Sequence, residues 1–147
     1  MYFLDRHKTI TCYYESLTRA ACDKYQLTQM EYDILMFLYG NPQINTAADI
    51  VRICKYTKSH VSTSLKHLED RELVRKVQSE TNKKQIAIFT TDSAQEIIQN
   101  GLDTKKLFAK TVLEGVTAEE LEAFRKVFDK VCQNAEAHLH KKTKKEL

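Results

Sequence analysis

Short hydroxyl side chains and a lysine recur on one side of a predicted helix in the segment "TKSHVSTSLKHLED" (57–70). Val61, Leu65 and Leu68 are spaced so that they form one apolar stripe along that helix. The opposite side carries Ser59, Ser62, Thr63 and Lys66. Short hydroxyls are poor helix formers, but short donors let a helix come close to a phosphate backbone, where a lysine adds charge. The pattern therefore indicates DNA contact, although this helix alone leaves an ordinary solvent-exposed face open as the alternative.

The charge of the chain is concentrated around this helix. Residues 52–84 hold nine lysines and arginines against four acids, a balance of +5 that leaves −2 for the rest of the chain. A local basic block of this kind is typical of nucleic-acid binding. A second basic cluster near the end of the chain is interpreted as a solubilising tail; it comprises lysines 141, 142, 144 and 145.

The elements that must position the polar face are mostly helices. The chain of 147 residues contains only three glycines and one proline, which favours helices over long loops, and it is long enough for one domain with dimerisation arms. A first helix, ending near Tyr25, has an apolar seam of Phe3, His7, Ile10, Tyr14, Leu17 and Ala21. Thr28 and Glu31 predict a capping box for a second helix, which the Gly40-Asn41-Pro42 sequence should end.

A helix-turn-helix and a hairpin should follow. A third helix from Thr46 carries Ala47, Ile50, Val51 and Cys54 on one face, and Thr57 is a suitable N-cap for the polar-faced helix after it. The segments 72–78 and 85–91 alternate in part and flank a polar turn, which predicts a β-hairpin. A helix over about 92–114 should stop at Gly115, and a last helix capped by Thr117 and Glu120 should extend to about His138.

Other function classes find no support in the sequence. There is no glycine-rich phosphate loop, paired-carboxylate motif or nucleophile elbow, so we expect no enzyme activity and no cofactor. The four cysteines, Cys12, Cys22, Cys54 and Cys132, lack the spacing of a zinc site and are expected to be reduced thiols on partly buried faces. No apolar run approaches a membrane span and the start lacks the pattern of a secretory leader, so we expect a cytoplasmic protein.

Taken together, the order of elements resembles the MarR (multiple antibiotic resistance regulator) family of bacterial transcription regulators. The similarity is carried by "LTQMEYDILMFL" (27–38), "TKSHVSTSLKHLEDRELVRK" (57–76), "SETNKKQIAIFTT" (79–91) and "GVTAEELEAFRKVFDKV" (115–131). It implies a mainly α fold, a winged helix-turn-helix with a small β-hairpin wing and with dimerisation helices at both ends. The implied divisions are an N-terminal dimerisation helix (1–27), a DNA-binding domain (28–91) and C-terminal dimerisation helices with a basic tail (92–147).

The resemblance also implies a function and its residues. The protein would be a sequence-specific regulator, expected to be a repressor, acting as a homodimer on a pseudo-palindromic operator and released by a small aromatic or anionic effector. The DNA contacts would be Thr57, Lys58, Ser59, His60, Ser62, Thr63, Lys66, Lys83 and Lys84. The effector would lie against Tyr13, Tyr14, Tyr25 and Tyr39, which serve equally well as core residues.

The sequence departs from the family pattern at the wing tip and at three single positions. Asn82-Lys83-Lys84 stand where an Asp-Arg pair is usual at the wing tip, and lysine lacks the bidentate fork of arginine. Thr63 replaces a common arginine, while Glu72 and Ala94 replace expected glycines. DNA specificity therefore cannot be read by analogy.

Three alternatives remain open at this point. The domain could be a protein-interaction module that never binds DNA, or a redox sensor that uses Cys12, Cys22 or Cys54. The apolar seams at the two ends of the chain could also belong to an intramolecular core instead of a dimer interface.

Overall fold

The computed structural model describes the backbone of residues 2–143 and the side chains of residues 5–139. The helices are α1 (Tyr2–Tyr25), α2 (Gln29–Gly40), α3 (Ala47–Cys54), α4 (Lys58–Asp70), α5 (Gln95–Val112) and α6 (Ala118–Thr143). Strands β1 (Val74–Gln78) and β2 (Ile86–Thr90) form an antiparallel hairpin, and a short 3-10 turn (Asp92–Ala94) leads into α5. This is the mainly α architecture with a two-stranded wing that the sequence predicted.

The chain forms two compact units, Met1–Ala109 and Lys110–Leu147. The three functional divisions expected from the sequence stay a prediction. Some residues singled out above lie outside the described side chains: Phe3 and the tail lysines 141, 142, 144 and 145. Among the helices that the structure describes, none combines the length and apolar character needed to cross a membrane.

Threonine capping boxes begin three of the helices. In each box the threonine hydroxyl accepts from a backbone N–H three residues on, and the carboxylate of that residue accepts from the threonine N–H. The pairs are Thr28 with Glu31, Thr46 with Asp49 and Thr117 with Glu120. The first and third confirm the sequence analysis. The second was not recognised as a box, because the partner is aspartate instead of the usual glutamate or glutamine.

Three helix ends use the left-handed backbone region without glycine. Gln26 after α1, Lys55 after α3 and Glu72 after α4 have φ of 53°, 58° and 56°. At the end of α4, the Leu73 N–H donates to Leu68 O at 2.9 Å, which is the long bond of a Schellman motif. A side chain with a Cβ is disfavoured there by roughly 1–2 kcal/mol, so each of these turns is held against local strain.

The core of the first unit lies between α2, α4, α5 and the hairpin. Its fully buried large side chains include Tyr32, Ile34, Leu35, Ile50, Val61, Leu68, Ile88 and Ile98. Helix α5 approaches α2 closely at Gly101, where an added Cβ would overlap Met36 Sδ. Only glycine fits this position unless Met36 moves.

The hairpin is closed at its base and is tied to the loop before α3 by hydrogen bonds. Residue Val74 pairs with Thr90 and Gln78 with Ile86. The Ile88 N–H donates to Asn45 O at 2.9 Å, which ties β2 to the loop before α3. The Thr91 N–H donates to Leu73 O at 3.1 Å, and its hydroxyl donates to Glu72 O. The wing therefore leaves the core in a fixed direction.

The structure corrects three details of the sequence analysis. Helix α6 continues to Thr143 and not only to His138, because good helix formers without glycine or proline follow Ala135. Helix α5 begins at Gln95, after the 3-10 turn, instead of at 92. Two of the cysteines, Cys12 and Cys132, are exposed instead of partly buried, because residues 5–12 of α1 and the described side chains of α6 are exposed within their units.

We predict that Glu72→Gly stabilises the protein. Glycine removes the Cβ clash of the left-handed turn, and part of that gain is offset by the greater freedom of glycine in the unfolded chain. The net gain in the free energy of unfolding should be up to about 1 kcal/mol, measured by urea denaturation at one fixed protein concentration.

Asp70→Gly is the matched control, because Asp70 lies in the last turn of α4 as an ordinary helical residue. It should lower stability by roughly 0.5 kcal/mol. If Glu72→Gly is as destabilising as Asp70→Gly, the turn at Glu72 carries no strain.

Candidate nucleic-acid interface

The orientation of α4 is set by four buried side chains. Val61, Ser64, Leu65 and Leu68 face the core. Every predicted contact within α4 lies on the exposed side: Lys58, Ser59, His60, Ser62, Thr63 and Lys66. The structure thus brings all the predicted helix contacts to one surface. Ser64 is the hydroxyl residue that the sequence analysis did not place, and it belongs to the core side.

Two hydroxyls on this face also bond to the backbone of α4. Thr57 Oγ1 accepts from the His60 N–H at 3.4 Å, which makes Thr57 the N-cap that the sequence predicted. Thr63 Oγ1 donates to Ser59 O at 3.0 Å. Because its proton is used inside the helix, Thr63 offers a neighbouring molecule its methyl group and an acceptor lone pair, but no donor.

Some of the lysines and arginines of residues 52–84 have partners within the described part of the fold, and others do not. Arg52 pairs with Asp49 at 2.9 Å and Lys76 pairs with Glu69 at 2.7 Å. The Arg75 guanidinium lies 5.0 Å from the centre of the Phe89 ring.

Arg71 is used entirely within the fold, because its guanidinium donates to Tyr25 O at 2.7 Å and to Gln26 O at 2.8 Å. By contrast, within the part of the chain that the structure describes, Lys58, Lys66, Lys83 and Lys84 form no ion pair. Lys55 is also exposed and forms no ion pair among the described residues, so the cations of the block available to phosphates are Lys55 and the four lysines that the sequence analysis selected.

The wing tip is an ordered turn that presents two of these lysines. The Asn82 N–H donates to Ser79 Oγ at 3.2 Å, and Asn82 Oδ1 accepts from the Lys84 N–H at 3.1 Å. The Ser79 N–H donates to Gln85 O at 3.0 Å, closing the turn at its base. Asn82 therefore shapes the turn, while Lys83 and Lys84 are exposed beside it.

His67 is exposed like His60, but its ring is engaged with α2. Its Nδ1 lies 3.1 Å from Glu31 Oε1, and the Glu31 carboxylate is almost fully buried in α2. This contact joins the last turns of α4 to the start of α2.

The four tyrosines predicted to bind an effector lie at three separate places. Tyr13 and Tyr14 pack on Phe108, and their ring centres lie 5.8 Å and 5.4 Å from the centre of the Phe108 ring. Burial raises the pKa of Tyr14 to about 12. The Tyr25 hydroxyl donates to Glu96 Oε1 at 2.8 Å, and Tyr39 is exposed on α2. The effector role of these residues stays a prediction.

Two of the cavities that the described residues form open on the first unit, and none of the four tyrosines lines either of these two. One, of about 490 Å³, lies between α3, α4 and the hairpin and is lined mainly by Val51, Val61, Leu65, Ile86 and Ile88. The other, of about 320 Å³, lies between α1 and α2 against Glu15, Arg19, Cys22 and Gln29.

The cysteine environments do not favour redox sensing at two of the three sites considered. Burial raises the pKa of the Cys22 and Cys54 thiols, with the Asp33 carboxylate adding to the effect. A raised pKa lowers the thiolate fraction, and the thiolate is the reactive form.

Comparison with known proteins relates this architecture to one family. Residues 25–85 match the model of the MarR family. No curated protein sequence matches the chain. Solved structures are similar over most of the chain at identities below 25%, which establishes a shared fold.

A MarR-family regulator from Listeria monocytogenes complexed with 26mer DNA is 23% identical, with a TM-score of 0.79 over 89% of this chain and 87% of that one. The transcriptional regulator SlyA is 15% identical, with a TM-score of 0.78 over 92% and 94%. The S. aureus MepR–DNA complex is 18% identical, with a TM-score of 0.75 over 88% and 93%. Residues 25–85 therefore match the MarR family model, and most of the chain shares its fold with solved MarR-family regulators.

Proposed function

We propose that this protein is a sequence-specific DNA-binding transcriptional regulator that acts as a homodimer. The observation that carries the proposal is the outer face of α4, where hydroxyls and unpaired lysines stand together without a large apolar side chain. An α-helix fits the major groove, and short polar side chains let its backbone approach base edges and phosphates. Lys83 and Lys84 would reach the flanking backbone from the wing.

Two of the similar structures support this assignment, because they were solved with DNA bound. Their fold extends over nearly all of this chain. The exposed α4 face and the unpaired wing lysines give the present chain the chemistry that such a complex requires.

A dimer is supported by the exposed apolar face of α6. Leu121, Phe124, Val127, Phe128 and Val131 are all at least 40% exposed within their unit, and the Phe124 and Phe128 rings stack at 5.6 Å. Contiguous exposed apolar surface of this kind marks an interaction site. Two copies related by a twofold axis would present two α4 helices to half-sites about one DNA turn apart.

We further expect the bound dimer to repress transcription by occupying its operator, and a small aromatic or anionic effector to release it. The direct test of the core proposal is to select duplexes from random DNA with the protein and to measure their affinity across a salt series. A protein-interaction module without DNA binding would enrich no sequence.

The first prediction from this proposal concerns the wing. Lys83→Ala combined with Lys84→Ala should weaken binding to all sequences alike, because phosphate contacts carry no base information. The slope of log K against log salt should flatten by about 0.9 for each phosphate that the variant no longer neutralises. Fluorescence anisotropy with a labelled duplex at several salt concentrations measures both effects.

Lys106→Ala with Lys110→Ala is the matched control, since it removes the same charge from exposed positions of α5. It should leave the slope unchanged. Equal slopes for the wing variant and the native protein would mean that the wing does not meet DNA.

The second prediction separates base reading from anchoring on α4. Lys66 can donate to guanine O6 or N7, so Lys66→Ala should cost roughly 1–3 kcal/mol on the selected operator and relax the preference at one base pair per half-site. Ser59, nearer the start of α4, is better placed for a phosphate. Ser59→Ala should therefore cost less and change no preference.

Both variants are measured against a panel of operators with single base changes, at one salt concentration. A uniform loss of affinity for Lys66→Ala across the panel would make Lys66 a phosphate anchor and refute its base-reading role.

The third prediction concerns assembly. Phe124→Asp or Phe128→Asp places a charge on the apolar face of α6 and should shift the protein toward monomer at micromolar concentration. Gln133→Asp introduces the same charge on the opposite side of α6 and should leave the dimer intact. Sedimentation velocity distinguishes the two, and dimers that persist in both phenylalanine variants would place the interface elsewhere.

A further inference from the structure

A chain of side-chain hydrogen bonds runs from α1 through α2 to the residue before the cap of α4. Its centre is the Asp33 carboxylate on α2. Asp33 Oδ1 accepts from Gln29 Nε2 at 3.0 Å, and Asp33 Oδ2 accepts from the Tyr56 hydroxyl at 3.0 Å. Asp33 and Tyr56 are 23 residues apart in the sequence, so this bond is a tertiary contact between α2 and the α3–α4 connection.

The chain continues from Gln29 into α1. Gln29 Oε1 accepts from Thr18 Oγ1 at 2.7 Å, and the Cys22 thiol lies 3.8 Å from the same oxygen. Thr18 is fully buried in α1. The bonded order is therefore Thr18, Gln29, Asp33 and Tyr56, which links three separate segments of the first unit.

The chemistry of the side chains determines which groups donate and which accept along this series of hydrogen bonds. An ionised carboxylate only accepts, so both Gln29 and Tyr56 must donate to Asp33. Since the Gln29 amide nitrogen is used on Asp33, its oxygen must face Thr18, as observed. Burial raises the pKa of Asp33 while the bonds from Gln29 and Tyr56 lower it, and burial together with Asp33 raises the pKa of Tyr56.

Tyr56 occupies the position where the direction of α4 is set. Lys55 before it has the left-handed backbone that ends α3, and Thr57 after it caps α4. The other end of α4 is tied separately, by His67 to Glu31 and by Arg71 to the carbonyls of Tyr25 and Gln26. Tyr56 thus holds the N-terminal end, which carries Ser59 and Ser62, against α2.

We propose that Tyr56 and Asp33 are positioning residues for operator recognition: their hydrogen bond fixes the N-terminal end of α4, and Gln29 and Thr18 connect that end to α1. The inference rests on the proposed DNA-binding function. Neither residue contacts DNA. They act by holding the hydroxyl face at the angle at which it meets the bases, so their loss affects discrimination between sequences more than general attraction to phosphates.

Tyr56→Phe is the sharpest test, because it removes one hydroxyl and keeps the ring. The probes are the duplex that the native dimer selects from random DNA and a scrambled duplex of equal length and composition. Affinity for the selected duplex should fall about fivefold, the effect of losing one hydrogen bond of ordinary net strength, while affinity for the scrambled duplex is unchanged. The salt slope should stay the same, since the same phosphates are neutralised.

The ratio of the two affinities separates positioning from general stability. A variant that merely reduces the amount of folded protein lowers binding to both duplexes by the same factor and leaves the ratio unmoved. Asp33→Ala should reproduce the fall, because it removes the carboxylate that accepts from Tyr56. The double variant should lose no more than Asp33→Ala alone, since both substitutions remove the same bond.

Tyr32→Phe is the matched control. Tyr32 is fully buried on α2 and loses the same hydroxyl while the bond from Tyr56 to Asp33 stays intact, so its ratio should equal that of the native protein. The positioning role is wrong if Tyr56→Phe keeps the native ratio of affinities for the selected and scrambled duplexes. It is also wrong if the losses of the two single variants add in the double variant. A native protein that selects no sequence overturns the proposed function itself, which is a different result from a discriminating protein whose Tyr56→Phe variant discriminates equally well.

Discussion

The rotation of α4 about its own axis is the constraint on which the candidate interface depends. Val61 and Leu68 are completely buried and Leu65 nearly so. Burial of these side chains contributes roughly 1.5–3 kcal/mol each, far more than any contact on the outer face contributes to folding. Rotating the helix by even one position would expose part of this stripe, so the hydroxyls and Lys66 face outward as a consequence of core packing.

The same packing explains why the outer face can have an unfavourable composition for a helix. Serine and threonine compete with helical hydrogen bonds, and Thr63 does so visibly by bonding to Ser59 O. The helix tolerates this because Thr57 caps its start and because its end is held by Arg71 and His67. The stabilising contacts lie at the ends and on the inner face, which leaves the outer face available for the proposed contact with DNA.

Local signals in the sequence predicted the elements well, whereas contacts between distant residues were not predictable. The Thr28 and Thr117 boxes, the Thr57 cap and the hairpin were confirmed because each depends on residues a few positions apart. The bond from Tyr56 to Asp33 leaves no local pattern, since a tyrosine and an aspartate in unrelated segments carry no spacing rule. Similarly, composition identified the basic block, but it could not show that the Arg71 guanidinium donates hydrogen bonds to backbone carbonyls.

The short connection from α3 to α4 combines a local turn with a contact between distant residues. Lys55 turns the chain through a left-handed conformation, Tyr56 anchors it to Asp33, and Thr57 starts the next helix. The local turn alone would allow a range of angles between the two helices, because a strained left-handed residue is held only by its surroundings. The Tyr56 hydroxyl supplies a fixed point outside the turn. A recognition helix whose side chains are to meet base edges needs such a point, and in the proposed function the partly buried Asp33 carboxylate on α2 supplies it.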